Sequence, residues 1–512
     1  MSKHSFLLMA LLAAAAMLLG TAWICDDAFI TLRVIDNFVN GHGLRYNVIE
    51  RVQVFTHPLW LIFLTPLYAL TREPMLTPML FSVILSLLAF WLLATRIAKT
   101  IEYGSLLILL AAASRAICDF STSGLETPLT YLLLALFVWQ LYRQEKTWIS
   151  AGIAGLLLLN RLDLVILVGP AVAYLLFCAR GGSRIKIALA VSLPALTWIA
   201  ISVVYYGVPF PNTAYAKLGT GFGAVELIAR GVEYAKDFVF TDTLLALVIG
   251  KAVFDALRSR NGLTTALGIG VLLYVVYITS IGGDFMSGRF FAAPGFLALC
   301  IFAQLPAPQW LAKQWKLMGL IGIGILGITL VARIMEPPMN TLMISGNGIS
   351  DERRFYYADT GLVPVLSKWL ATGVKPVPQA GRRGQELQSM GQGAAAPLVV
   401  AAQAIGMRGY YGGSNVHILD EVALADAFLA RLPAAPDSRV GHYRRILPPG
   451  YAETVGYASP TTDIEVLRPL LNDVNLATRA PLSAEGRWDA IWRLSSGHYR
   501  WIYETDIYGA RK

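Results

Sequence analysis

Charged residues are scarce in this chain. Only 15% of its 512 residues are Asp, Glu, Lys or Arg, whereas 56% are hydrophobic and the mean hydropathy is +0.56. This composition excludes a single soluble domain, in which about 25% of the residues are charged. Apolar runs long enough to cross a bilayer recur up to about Arg333 and are lacking after it. The sequence therefore predicts a transmembrane domain at residues 1–335 and a water-facing domain at residues 336–512.

Metal-ligand and nucleotide-binding patterns are also lacking. There are four cysteines, Cys25, Cys118, Cys178 and Cys300. Their spacing fits neither a zinc site nor a disulfide framework. No Walker or dinucleotide loop, HExxH, GxSxG or EF-hand spacing occurs, which argues against nucleotide-driven transport. The net charge of +9 lies in short clusters between apolar runs, which is typical of membrane topology rather than nucleic-acid binding. We expect no nucleic-acid partner, no metal site and no certain cofactor, with a divalent cation left open.

Positive charge also predicts the orientation. Lys3 precedes the apolar run of residues 6–24, which places the N-terminus in the cytoplasm and the next loop outside. The alternative is a cleaved signal peptide ending near Ala22, which leaves that loop outside as well. Residues 57–70 are short for a crossing and favour an interfacial or re-entrant helix, so the second crossing is residues 74–95. With the later basic clusters in the cytoplasm, we expect about eleven crossings of a cell (inner) membrane.

An acidic pair, Asp26 and Asp27, follows the first apolar run directly. Carboxylates at the mouth of a membrane helix are costly to place and are functional candidates, as general bases or cation ligands. Asp27 could alternatively be the N-cap of an amphipathic helix over residues 28–39, in which Arg33 is one of the polar residues. A cap explains only one of the two, so we predict that the pair has a catalytic or ligand-binding role, with Asp26 and Asp27 as the catalytic candidates.

Four further loops carry charges, amides or glycines on the same predicted side of the membrane. Glu126 could act on a ligand or could simply favour the dipole of the helix that follows it. Arg161 could grip a phosphate with its planar guanidinium or form a plain ion pair with Asp163. Asp284 and Arg289 lie among glycines that let a backbone approach a ligand, but they could also pair with each other. The convergence of these loops predicts one external active site.

The remaining candidates are less distinctive. Residues 209–217 read PFPNTAYAK, where Asn212 and Tyr215 offer hydrogen bonds and Lys217 could bind a ligand or snorkel to the interface. His57 precedes Pro58 and is also typical of an interfacial helix start. In the last third, residues 382–396 are predicted to be a mobile loop, residues 397–402 a buried strand and residues 420–432 a helix, which indicates a small α/β module.

The order of these motifs resembles the polytopic GT-C glycosyltransferases. The matching segments are DDAFITLR (26–33), GHGL (41–44), THPLW (56–60), TSGLETPL (122–129), NRLD (160–163), PNTAYAK (211–217), GGDFMSGR (282–289) and residues 419–433 and 439–451. The most similar subgroup is the terminal arabinofuranosyltransferases of mycobacterial cell-wall arabinan and their bacterial relatives. The resemblance spans nearly the whole chain and implies an all-α membrane bundle with juxtamembrane helices and a small extracytoplasmic α/β domain.

The resemblance also implies an activity. It implies that a pentofuranose, D-arabinofuranose, moves from a polyprenyl-phosphate donor to an extracytoplasmic glycan or glycoprotein, with the catalytic acid at Asp26 or Asp27. The residues expected to bind the donor phosphate and sugar are Arg33, His57, Glu126, Arg161, Asp163, Asn212, Tyr215, Lys217, Asp284 and Arg289. A flippase or transporter of lipid-linked sugar is the alternative, although it would keep its charges near mid-bilayer, often in repeated halves, and we find no repeat.

Overall fold

The structure, a computed structural model, describes residues 2–143, 145–217, 220, 222–339, 348–394, 396–503 and 505. These residues are mostly helical. In the first half of the chain the helices are α1 (Lys3–Thr21), α2 (Asp26–Val39), α3 (Pro58–Thr71), α4 (Leu76–Leu92), α5 (Ile101–Ala113), α6 (Arg115–Phe120), α7 (Thr127–Arg143), α8 (Thr147–Asn160), α9 (Leu164–Cys178), α10 (Gly182–Tyr206), α11 (Asn212–Lys217), α12 (Ala224–Thr241) and α13 (Thr243–Leu257). The later elements are α14 (Gly262–Ser280), α15 (Arg289–Gln304), α16 (Gln309–Ile334), α17 (Glu352–Thr360), α18 (Leu362–Thr372), α19 (Gln379–Gly391), β1 (Leu398–Ala402), α20 (Gly406–Gly412), β2 (Val416–Asp420), α21 (Tyr451–Thr454), α22 (Arg468–Thr478) and α23 (Arg487–Ser495).

The chain forms two compact units, each assembled from several segments. The first unit contains Met1–Cys25, Met75–Ala195 and Ala224–Pro376, and the second contains Asp26–Pro74, Leu196–Gly223 and Val377–Lys512. These two units differ in kind from the predicted transmembrane domain (1–335) and water-facing domain (336–512), which are defined by the membrane. The predicted boundary therefore stays a prediction.

Helices α1 and α16 run in the same direction within the first unit. Near their starts, the rings of Phe6 and Trp315 pack with centroids 5.1 Å apart. Near their ends, a Cβ added to Gly20 would lie 2.5 Å from Cδ1 of Leu330, so the glycine permits a close approach of the helices. The chain therefore leaves α16 on the same side as it leaves α1.

Several helices are suited to a bilayer. Among the described residues, five are long and apolar enough to cross one, namely Lys3–Thr21, Leu76–Ile97, Gly182–Tyr206, Gly262–Ser280 and Lys313–Ile334. Residues 76–97 overlap the predicted second crossing, and α3 is a short helix of 14 residues, as predicted. The interfacial position of α3 and the total of about eleven crossings stay predictions.

Close packing of α9 on α14 fixes two residues of the candidate site. A Cβ added to Gly270 of α14 would lie only 2.0 Å from the carbonyl oxygen of Leu167 in α9, so glycine is needed at this position. Arg161 lies just before α9, and Tyr274 lies one turn after Gly270 on α14. The contact therefore holds these two side chains within reach of each other.

A two-stranded parallel sheet lies in the second unit. Leu398 of β1 pairs with Val416 of β2, and Ala402 pairs with Asp420, which confirms a strand within residues 397–402. The prediction that this strand is buried is wrong, because only Ala402 of β1 is buried. The Asn47 side chain bonds to both backbone groups of Ile418 at 3.0 Å, so it satisfies part of the open edge of β2.

Two predictions for this region are wrong. Residues 382–396 were expected to be a mobile loop, but Gln379–Gly391 form α19, in which Gly384 packs against the backbone of Arg408. Residues 420–432 were expected to be helical. Instead the carboxylate of Asp420 accepts hydrogen bonds from the N–H groups of Val422 and Ala425, and Ala423 has a left-handed φ of 63°, which interrupts a right-handed helix.

Candidate functional site

The predicted site residues fall into both units. Within the first unit, Glu126, Arg161, Asp163, Asp284 and Arg289 form one cluster. The other predicted residues belong to the second unit, and they are Asp26, Asp27, Arg33, His57, Asn212, Tyr215 and Lys217.

Glu126 lies at the centre of the cluster in the first unit. It is 1% exposed and directly precedes α7, whose second residue is Pro128, a residue suited to the first turn of a helix. One oxygen, Oε1, lies 3.5 Å from Nη1 of Arg161 and 3.9 Å from Nη2 of Arg289. Two guanidinium groups from distant loops therefore approach the same buried carboxylate.

Arg161 is held in the turn between α8 and α9. Its Nε and Nη2 donate to the two carboxylate oxygens of Asp163 at 3.1 and 2.6 Å, which is bidentate geometry. The hydroxyl of Tyr274 donates to Asp163 at 2.5 Å and accepts from Arg161 at 3.0 Å. Burial opposes the charge of Arg161, but the nearby carboxylates of Asp163 and Glu126 raise its pKa above the ordinary value. The guanidinium is thus fixed in orientation and cationic.

Arg289 is the first residue of α15 and follows a glycine-rich turn. Its Nη1 lies 3.5 Å from Oδ2 of Asp284, so the pairing considered as the alternative to ligand binding does form. Gly283 and Gly288 have positive φ values of 69° and 74°, which favour glycine and fold the turn back on itself. The guanidinium of Arg161 also lies 5.2 Å from the ring of Phe290, the next residue.

Buried polar groups flank Glu126 in the chain, and Asn160 donates to its backbone carbonyl at 3.2 Å. The hydroxyls of Thr122, Ser123 and Thr127 and the Oδ1 atom of Asn160 are buried and have no hydrogen-bond partner within the described part of the chain. Most buried polar groups in proteins are paired with protein or ordered water. A group of such atoms beside charged side chains is suited to the hydroxyl and phosphate oxygens of a polar ligand.

Asp26 begins α2 in the second unit and is engaged by the backbone of α20. Its Oδ2 accepts from the N–H of Gly406 and its Oδ1 accepts from the N–H of Met407, both at 2.8 Å. Burial raises the pKa of Asp26, and the two backbone hydrogen bonds oppose that rise. This carboxylate therefore satisfies the start of another helix.

Asp27 differs from its neighbour in exposure. Asp26 is 9% exposed and buried, whereas Asp27 is partly exposed. Both lie in the first turn of α2, which begins at Asp26, so Asp27 is not the N-cap considered above. Cys25, which precedes the pair and belongs to the first unit, donates its N–H to the carbonyl of Ser123 in that same unit at 3.1 Å.

Arg33 and His57 are buried in the second unit. Arg33 donates to the carbonyl oxygens of Tyr46, Gly409 and Val416 at 2.6 to 2.8 Å, so it links α2 to the backbone around α20 and β2. His57 is 5% exposed, and its Nε2 lies 2.9 Å from the Thr31 hydroxyl. A direct role of Arg33 on a ligand would require it to leave these carbonyls.

The segment of α11 has three different environments. The Asn212 side-chain N–H₂ donates to the carbonyl oxygens of Ala423, Leu424 and Asp426 at 2.9 to 3.1 Å. The guanidinium of Arg431 lies 4.6 Å from the ring centre of Tyr215. Lys217 is exposed at the end of α11. Asn212 thus has contacts typical of a structural residue, whereas Lys217 remains accessible.

Sequence reasoning did not select several residues of the cluster. Tyr274 was missed because a Tyr in an apolar helix gives no signal of its own, whereas Thr122, Ser123 and Thr127 lay inside a segment that was already noted. Among the described residues, no group of three or more His, Cys, Asp or Glu side chains has the arrangement of a metal site. The divalent cation considered from the sequence stays untested.

Comparison with known proteins supplies the class. A terminal β-(1→2)-arabinofuranosyltransferase of Mycobacterium tuberculosis is 26% identical over 572 aligned residues, which cover 90% of this chain and 89% of that protein. A protein of the same name from Corynebacterium glutamicum is 25% identical, covering 82% and 72% of the respective chains. This chain is a glycosyltransferase. The resemblance stated from its motifs is confirmed.

A solved structure supports the fold. The crystal structure of ArnT from Cupriavidus metallidurans in the apo state superposes with a TM-score of 0.51 at 16% identity, covering 82% of this chain and 86% of that one. At this identity the likeness concerns the fold alone, and it agrees with the helical GT-C architecture expected of this membrane glycosyltransferase. No protein-family model matches the chain.

Proposed function

We propose that the enzyme transfers D-arabinofuranose from a polyprenyl-phosphate donor to an extracytoplasmic glycan or glycoprotein. The observation that carries this proposal is the similarity to terminal β-(1→2)-arabinofuranosyltransferases over 90% of the chain. The sugar comes from the names of these relatives, and the lipid-linked donor comes from the resemblance of the motifs to GT-C glycosyltransferases. The chemistry of the described residues supports the reaction class, because it supplies carboxylates for proton transfer and guanidinium groups for a phosphate.

Asp27 is the proposed catalytic base. In the reaction, the acceptor hydroxyl oxygen bonds to the anomeric carbon while the bond from that carbon to the phosphate oxygen breaks. The hydroxyl proton moves to the carboxylate, and polyprenyl phosphate leaves with the electron pair. Asp26 is proposed as a positioning residue, because both of its oxygens already accept hydrogen bonds from Gly406 and Met407. Asp27 is the more exposed member of the pair.

Arg161 and Arg289 are proposed to stabilise the leaving phosphate. Both guanidinium groups lie within 4 Å of Glu126 Oε1, and two cations at one point suit a group whose negative charge grows as it leaves. Asp163 and Tyr274 would hold the plane of Arg161. The buried hydroxyls of Thr122, Ser123 and Thr127 would form hydrogen bonds with the polyprenyl-phosphate sugar.

The proposed reaction takes place outside the cytoplasm. Lys3 at the start of α1 favours a cytoplasmic N-terminus. Since α1 and α16 run in the same direction, the chain after α16 would emerge on the outer side together with residue 26. This supports an extracytoplasmic C-terminal domain in an inner-membrane protein.

The test is transfer by the purified full-length enzyme from synthetic polyprenyl-phosphoryl arabinofuranose to short arabinan acceptors. Wild type should form product, Asp27→Asn should lose most of it, and Asp489→Asn should retain it, because Asp489 is an exposed residue on α23. Equal activity of the two variants would reject Asp27 as the base. If wild type moved the donor between leaflets without transferring sugar, the flippase alternative would replace this proposal.

A further inference from the structure

Helix α18 exposes apolar side chains along most of its length. Leu362 and Val365 are buried, but Leu370 is 87% exposed, Trp369 is 40% exposed, and Val374, just beyond the helix, is 70% exposed. A helix surrounded by water normally turns its apolar stripe towards a core. Contiguous apolar exposure of this kind marks an interaction surface.

The start of α18 is attached to the end of α1. The N–H of Leu362 donates to the carbonyl of Ala22 at 2.9 Å, and the hydroxyl of Thr360 donates to the carbonyl of Ile24 at 2.8 Å. Because α1 is a helix suited to crossing the bilayer and ends at Thr21, its end marks the membrane boundary. These contacts place the first turn of α18 at that boundary.

The side chains of α18 are sorted around the helix axis. At about 100° per residue, Val363, Leu366 and Leu370 share one side, whereas Lys368 projects on the opposite side. The Lys368 ammonium donates to the carbonyl of Ala358 at 3.2 Å, so its stem folds back over α17. Trp369 lies at the edge of the apolar side, and Trp is enriched at membrane–water interfaces. An apolar side opposite a basic residue is typical of helices that lie in the plane of the interface.

We propose that α18 lies in the lipid headgroup region, with Val363 and Leu370 against the acyl chains and Lys368 turned away from them. The partner of this surface is the bilayer itself, on the side of the membrane where α1 ends. The surface is continuous with α1 and would anchor the segment after α16 to the membrane. This inference does not depend on the proposed reaction, since it concerns only the position of a helix.

The test compares two spin labels on opposite sides of α18. Cys178 is the exposed cysteine and the other three are buried, so nitroxides would be attached to Leu370→Cys and Lys368→Cys in a Cys178→Ser background. The full-length protein would be placed in nanodiscs of mixed zwitterionic and anionic lipids. Collisions with oxygen, which concentrates in lipid, and with a water-soluble nickel chelate would be measured by electron paramagnetic resonance.

The two labels should behave in opposite ways. We expect residue 370 to be several-fold more accessible to oxygen than to the nickel chelate, and residue 368 to favour the chelate. Equal access of the chelate to both positions would show that α18 lies in water and would overturn the proposal. Protection of residue 370 from both reagents would also overturn it, because a second copy or another protein would then cover the helix. Retained melting temperature would confirm that each variant is folded.

Discussion

The backbone N–H of Gly406 donates a hydrogen bond of 2.8 Å to Oδ2 of Asp26, 380 residues earlier in the chain. The N–H of Met407 bonds to the other carboxylate oxygen at the same distance. Asp26 therefore stabilises the fold by holding α2 against α20. Its neighbour Asp27 makes neither of these two hydrogen bonds, so the two carboxylates are expected to have different roles.

The acidic pair should respond differently to substitution at its two positions. Asp26→Ala removes the acceptor of two buried N–H groups, each of which costs about 1–3 kcal/mol when unpaired, so the melting temperature should fall. Asp27→Asn keeps the size of the side chain and should lower kcat by at least about 100-fold with little change in melting temperature. Calorimetry and transfer kinetics on both variants check this. Unchanged kcat in Asp27→Asn together with an unchanged melting temperature in Asp26→Ala would contradict the division of roles.

Gly406 should not tolerate a side chain. A Cβ at this position would lie 1.8 Å from the carbonyl oxygen of Asp26, so Gly406→Ala should lower the melting temperature, although Ala favours helices by about 1 kcal/mol over Gly. Gly152→Ala in α8 is the matched control, because a Cβ there meets no atom within 4 Å. A melting temperature for Gly406→Ala equal to that of the control would show that α2 and α20 can separate without loss.

Tyr274 should act through Arg161 rather than on the sugar. Tyr274→Phe removes the hydroxyl that bonds to both Arg161 and Asp163, which loosens the proposed phosphate ligand. We expect the KM for the donor to rise about tenfold, which corresponds to about 1.4 kcal/mol, while the KM for the acceptor stays constant. Tyr277→Phe on the same helix is the control. Equal effects on both KM values would point to a general loss of structure.

Asn212 provides a test between structural support and ligand binding. Its amide donates to three carbonyl oxygens, of Ala423, Leu424 and Asp426. Asn212→Asp places a carboxylate against three carbonyl oxygens, which repel it. This variant should therefore be less stable than Asn212→Ala by about 1–3 kcal/mol. Thermal unfolding measures the difference. A raised KM with full stability in both variants would instead support the sugar-binding role predicted from the sequence.

His417 should make the second unit sensitive to acid. Burial lowers the pKa of His417 from 6.5 to about 4, with Glu50 opposing this shift and Arg479 and Arg33 adding to it. Below pH 6.5 the unfolded chain binds a proton that the folded state excludes, so this contribution to stability is complete above pH 6.5 and is lost as the pH falls towards 4. The loss approaches about 3 kcal/mol at 1.36 kcal/mol per pKa unit.

The measurement for His417 is the melting temperature from pH 7 to pH 5 in wild type and His417→Gln. Wild type should lose more stability than the variant over this range. Burial also raises the pKa of Asp420 to about 6 and of Asp426 to about 7, and these groups act in the opposite direction. Both proteins retain them, so the difference between the two curves reports His417. Parallel curves would contradict the prediction.

Sequence patterns recovered the local features of this protein well. The apolar runs predicted α1 and the helix at residues 76–97, and the 3.6-residue pattern after the acidic pair predicted α2. Ion pairing was the alternative considered for Arg161 with Asp163 and for Asp284 with Arg289, and both pairs form. These features succeeded because they depend on residues close together in the chain.

One prediction failed because distant residues override local preference, and another failed because a side chain bonds to the backbone close to it. Glycine-rich residues 379–391 form a helix because Gly381 and Gly384 allow close packing on Tyr411 and Arg408 of α20. The segment after Asp420 is not helical because that side chain captures two nearby N–H groups. The composition of residues 379–391 carries no record of the partners in α20.

The sequence by itself determined that the chain is a membrane protein with a GT-C-like order of motifs, because hydropathy and motif spacing depend only on the order of residues along the chain. Only the tertiary structure decided which charged residues are engaged. It showed that Asp26 accepts two backbone hydrogen bonds, that Arg33 is held by carbonyl oxygens, and that Arg161 and Arg289 approach Glu126. The partners in these hydrogen bonds and ion pairs lie between 35 and 381 positions apart in the chain, and only folding brings them within 4 Å.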